Sequence, residues 1–171
     1  MGQEKSQCHH LSQITKKPET LIKSAATAME NKKRFEFLKQ DYRQGFPAHC
    51  GIEVVNVDTG RFEVKLTVGP EHGQREGFVH AGVLATMADH TAGYAAYTLV
   101  AEDVSILTIE LKINYFKPVT GDTVVCRSRI IHQGRRILAA ESELFSVLQN
   151  QEKLVSKALV TLMAVPGSVS E

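Results

Sequence analysis

The chain has 171 residues, which fits one domain of the usual roughly 100–200 residues. Lys and Arg number 20 against 19 Asp and Glu, a net charge of +1, so the basic footprint of a nucleic-acid binder is missing. A small anionic ligand stays compatible, because a local Lys and Arg cluster holds a phosphate without moving the net charge. Hydrophobic residues at 43% and charged residues at 23% give the balance of an ordinary globular chain. The longest helix-like apolar run, Val79 to Val100, is interrupted by Asp89 and His90 and does not read as a membrane span. Three cysteines, Cys8, Cys50 and Cys126, are too few and too dispersed for a disulfide framework or a zinc site. They suit a reducing cytoplasm, and the polar stretch Met1 to Lys17 lacks the apolar core of a secretion signal.

From Glu19 to about Tyr42 the chain is rich in Ala, Lys, Glu and Leu, and Leu21, Ile22, Ala25, Ala28, Met29, Phe35, Phe37 and Leu38 form a thin apolar stripe at helical period. This predicts an accessory helical layer after a loose tail. Cys8-His9-His10 in that tail lacks a fourth ligand at metal-site spacing, so no metal is expected. Gly45-Phe46-Pro47 breaks the helix, which divides the chain into a tail and helical extension at 1–45 and a main domain at 46–171.

Past Gly51 the period becomes two. Val55 and Val57, then Phe62, Val64, Leu66 and Val68 after Asp58-Thr59-Gly60, predict a hairpin. A breaker-rich loop from Gly69 to Gly77 feeds an alanine-rich helix, Val79 to Val100. Four strands follow, roughly Ile106–Phe116, Asp122–His132, Arg135–Val147 and Lys153–Val165, separated by turn residues. The tally predicts an α+β fold: an antiparallel sheet wrapped on one central helix.

A carboxylate on an enclosed helix is costly without a role or a partner. Asp89, between Ala85, Thr86, Ala92 and Gly93, is such a residue, although a wet surface stripe also accounts for it. Gly77-Phe78-Val79-His80-Ala81-Gly82 runs a loop into a helix N-terminus, where free N–H groups and the helix dipole hold an anion or a developing oxyanion. His80 reads equally as a contact to substrate or as a loop-fixing residue, and Gln74 as an amide near a carbonyl or an ordinary loop glutamine. Ala81 and Asp89 are eight residues apart, about 12 Å along a helix axis. One acyl carbon cannot meet both within a single chain. Two such helices antiparallel across a two-fold axis build composite sites, so joint action requires at least a dimer.

Gln74, His80-Ala81-Gly82, Asp89 and the strand Leu107 to Tyr115 with Phe116-Lys117-Pro118 together resemble the hotdog-fold acyl-CoA thioesterases of the phenylacetate-degradation (PaaI-like) type, over roughly residues 46 to 165. The resemblance implies hydrolysis of an aromatic or fatty acyl-CoA to free acid and CoA at the interface of a homodimer, with a dimer of dimers left open. No cofactor is implied, since coenzyme A is part of the substrate. Asp89 falls where the base or nucleophile stands, Thr108 where a hydroxyl orients the water, and Gln74 where an amide contacts the thioester. His80 falls near the carbonyl, and the Ala81 N–H at the oxyanion donor. The family commonly has His-Gly-Gly; Ala81 keeps the backbone donor and adds a methyl group beside the thioester. Gly82, Lys117, Arg135 and Arg136 are the candidates for holding substrate, the three cations through the CoA phosphates. The alternatives are a non-catalytic acyl-CoA-binding hotdog, a hotdog dehydratase and a domain without activity. Asp89 argues against the first, and the roughly 100° between neighbouring helix positions Asp89 and His90 against the second.

Overall fold

The computed structural model describes residues 18–167. The chain divides into two units, Met1–Lys33 and Arg34–Glu171. Of the first, the described part is helical, the beginning of α1 (Pro18–Asp41). Cys8, His9 and His10 lie outside the described residues.

After α1 a short helix α2 (Gly45–His49) leads to the hairpin β1 (Glu53–Asp58) and β2 (Arg61–Thr67). The central helix α3 (Ala81–Tyr97) precedes β3 (Val104–Tyr115), β4 (Thr123–Gln133), β5 (Ile137–Leu148) and β6 (Gln151–Pro166). The six strands form one antiparallel sheet in the order β1-β2-β4-β5-β6-β3. This is the expected hotdog architecture. Chain order would leave β3 beside β2; instead β4 takes that place and β3 pairs with β6, which makes β3 an edge strand.

Strand residues alternate between a face against α3 and a face to solvent, most cleanly in β5, where Leu138, Ala140, Ser142, Leu144 and Ser146 are buried, as a half-buried strand requires. Ala88, Ala92, Ala95 and Ala96 on α3 have no exposed surface, and their small side chains let the sheet close round the helix. Two buried serines fasten it. Ser142 Oγ donates to the Ala88 carbonyl at 2.8 Å and lies 2.7 Å from Ser128 Oγ, so these polar groups are satisfied within the core. The core also reaches back to Leu38 and Tyr42, where the sequence suggested only an accessory layer. Tyr42 stacks on Phe62 and its hydroxyl lies 3.2 Å from Thr91 Oγ1. Cys50 and Cys126 are free and buried; burial pushes the Cys126 thiol up to about 12, which keeps it protonated and unreactive.

Among the described residues, no helix is long and apolar enough to cross a membrane, and no group of three or more His, Cys, Asp or Glu is placed to hold a metal ion.

Candidate active site

The loop before α3 is pinned from beneath. His72 is buried in a single 3₁₀ turn; its Nδ1 accepts from the Gly69 N–H at 2.8 Å, so its Nε2 carries the proton and donates to the Cys50 carbonyl at 2.9 Å. The His72 carbonyl then accepts from the His80 N–H at 2.8 Å. Gln74 is exposed on a tight turn closed by Gln74 N to the Phe78 carbonyl at 2.8 Å and Gly77 N to the Gln74 carbonyl at 2.9 Å. Gly77 has a φ of 81°, which favours glycine.

His80 is the N-cap of α3, and its Nδ1 accepts from the Gly82 N–H at 2.9 Å. Gly82 owes its place to space: a Cβ there would stand 2.9 Å from His80 Nδ1. The Ala81 N–H has no partner among the described residues. It opens beside a groove of about 290 Å³ whose lining includes Gln74, Phe78, Ala81, Tyr115 and Lys117.

Two turns along α3, Asp89 is half-buried, and its Oδ1 accepts from Thr108 Oγ1 on β3 at 2.8 Å. The groove beside it, about 560 Å³, is lined by residues that include Asp41, Phe46, Thr86, Asp89, His90 and Tyr94. Asp41 accepts from Tyr94 Oη at 2.7 Å and from Gln44 Nε2 at 2.9 Å. His90 packs against Tyr42 and Tyr94, with ring centroids 4.5 and 4.8 Å away, and burial lowers its pKa from the ordinary 6.5. A third groove, about 370 Å³, lies along charged residues of β2, β4 and β5, but its Arg127 and Arg129 are already ion-paired with Glu63, Glu152 and Glu141.

One chain therefore brings Asp89 to Thr108, and gathers Gln74, Ala81 and Lys117 round a second groove with His80 and Gly82 at its helix end. The two sets share no groove. Arg135 and Arg136 stand on the β4–β5 turn, where the Arg136 carbonyl accepts from the Ala164 N–H at 2.7 Å. Tyr115, next to Lys117 on the other side of Phe116, pairs with Ser156. Ser156 and Ala164 are eight residues apart on β6, about 26 Å of strand, so Lys117 and the two arginines do not meet within a chain. His72, Asp41 and Tyr94 carry no sequence signal for these roles. The bonds that join His72 to Cys50 and Tyr94 to Asp41 span 22 and 53 residues, beyond any local period.

The model of the family described as Thioesterase superfamily matches residues 76–151, the stretch that holds Ala81, Asp89 and Thr108. A Saccharolobus solfataricus protein named as an esterase is 29% identical over 92 residues, 54% of this chain and 65% of that protein. The 1,4-dihydroxy-2-naphthoyl-CoA hydrolase of Listeria monocytogenes is 26% identical over 69% of this chain and 94% of its own length. The crystal structure of a thioesterase family protein from Silicibacter pomeroyi superposes with a TM-score of 0.73 at 29% identity, covering 76% of this chain and 96% of that one. A central helix in a six-stranded antiparallel sheet, with these matches, defines the hotdog fold seen in thioesterases. Residues 76–151 are a thioesterase superfamily domain, and the relatives with a named activity are thioester hydrolases.

Proposed function

We propose that the chain hydrolyses the thioester of an aromatic or fatty acyl-CoA, with the chemistry held by residues 46–171 and each site shared between two copies. The observation that carries this reading is the Asp89 carboxylate, hydrogen-bonded to Thr108 on an open groove, with the Ala81 N–H left without a partner among the described residues at the start of the same helix. In the reaction Asp89 acts as base toward water, or as nucleophile, at the thioester carbon. Thr108 gives its proton to Asp89 Oδ1, so toward water its hydroxyl can only accept. A water bonded to both thus has its protons directed at Thr108 and Asp89 and a lone pair free for the carbonyl. The Ala81 N–H stabilises the oxyanion, with His80 and Gln74 beside it.

Two features support a dimer. β3 is a twelve-residue edge strand with Leu107 45% and Ile109 54% exposed, and a long apolar edge calls for cover. Moreover, β3 runs antiparallel along α3, touching Asp89 through Thr108 and Ala81 through Tyr115. Antiparallel pairing of two β3 edges exchanges these ends, which sets the Ala81 end of one copy beside the Asp89 end of the other. The same exchange carries the partner's β4–β5 turn toward Lys117, which is how Lys117, Arg135 and Arg136 would serve one CoA.

The test is thiol release from benzoyl-, butyryl- and decanoyl-CoA by wild type and by Asp89→Ala. Hydrolysis of at least one by wild type, lost in a folded Asp89→Ala, is the expected result. Absence of turnover, or a variant as active as wild type, contradicts the reading.

A further inference from the structure

The Tyr115 hydroxyl donates to the Ala81 carbonyl at 3.1 Å, and the Gly82 N–H donates to His80 Nδ1 at 2.9 Å. The Ala81 carbonyl and the Gly82 N–H are the two ends of one peptide unit. A donor on its oxygen polarises its N–H, so the two bonds strengthen each other. We infer that Tyr115 is a positioning residue that, through the Ala81–Gly82 peptide, holds the His80 ring as the single tautomer with its proton on Nε2.

A neutral imidazole that accepts at Nδ1 carries its proton on Nε2. Nothing among the described residues accepts from His80 Nε2, and His80 is exposed, so that N–H is free for a ligand. Burial raises the Tyr115 pKa, which keeps the hydroxyl a donor. Glycine at 82 completes the device, since a Cβ would stand 3.2 Å from His80 Cε1 as well as against Nδ1. Together the Ala81 N–H and His80 Nε2–H form a pair of donors at the start of α3. The other tautomer would turn a lone pair toward a developing oxyanion and oppose the reaction.

The catalytic consequence rests on the thioesterase reading; the tautomer does not. The experiment is ¹⁵N NMR of the His80 imidazole above neutral pH in wild type, Tyr115→Phe and Gly82→Ala, with kcat and KM for the fastest of benzoyl-, butyryl- and decanoyl-CoA. Wild type is expected to show only the Nε2–H tautomer. Tyr115→Phe, which keeps the ring, should admit the second tautomer and lower kcat about fivefold, the worth of one ordinary hydrogen bond, with KM unchanged. Gly82→Ala breaks the same chain from its other end, so adding Tyr115→Phe to it should cost little more. A wild-type His80 protonated on Nδ1, or a Tyr115→Phe that keeps either a single tautomer or its kcat, overturns the inference. If wild type hydrolyses none of the three, the thioesterase reading fails and the tautomer in Tyr115→Phe alone decides.

Discussion

The two ends of the working stretch of α3 are built differently. At its start the group we propose as functional is a backbone N–H that no substitution other than proline removes, and everything around it serves to hold the chain in place: His72 beneath, the His80 cap, the space left by Gly82, the Tyr115 hydroxyl. In its middle the proposed group is a side chain, Asp89, held by one hydroxyl across from β3 and set in a groove with Asp41, His90 and Tyr94. The first end depends on a network that fixes geometry, the second on a single charge. Substitutions should therefore act all-or-none at Asp89 and by degrees round Ala81.

The largest effect is expected at Asp89. Replacement by Ala should lower kcat by about 10²–10⁴, the usual worth of a base, without loss of Tm. Next comes Ala81→Pro, which removes the proposed oxyanion donor, a backbone N–H without a partner among the described residues. Proline is well tolerated at the first position of a helix, and His80, at φ −63° and ψ 136°, already has the extended conformation that a residue before proline requires. The variant should fold normally and lose about 10²–10³ in kcat, whereas Ala81→Val, which adds bulk and keeps the N–H, should not. Thr108→Val should cost about tenfold by removing one hydrogen bond to a carboxylate, and Thr108→Ser should restore it.

The smallest effect concerns stability. Burial favours neutral His90 in the folded chain, so its contribution is complete above the ordinary value of 6.5 and is lost as pH falls below it through the lowered folded value. Tm measured from neutrality down to about pH 5 should fall, and His90→Gln should flatten the slope. An unchanged slope would place the acid sensitivity elsewhere.

The contrast also explains what the sequence disclosed. Period two announced β1, β2 and the later strands, and the alanine spacing announced α3, because both are local rules. Its limits moved inward from Val79 and Val100 to Ala81 and Tyr97, with His80 as the cap at the start. The move of β3 to the sheet edge obeys no local rule, and the burial of Tyr42 depends on Phe62 and Thr91, which lie far along the chain. Asp89 stood out because a carboxylate among alanines is conspicuous. Tyr115 did not, because its partner, Ala81, is 34 residues away and offers only a backbone oxygen.

In the proposed enzyme each site joins Ala81 of one copy to Asp89 of another. Asp89→Ala and Ala81→Pro chains, differently tagged, co-expressed and purified as the mixed dimer, test it directly. A composite site leaves one of the two sites intact, so the mixed dimer should show about half of wild-type activity although each parent is nearly inactive. A mixed dimer no more active than its parents would place both groups of each site within one chain and contradict the account.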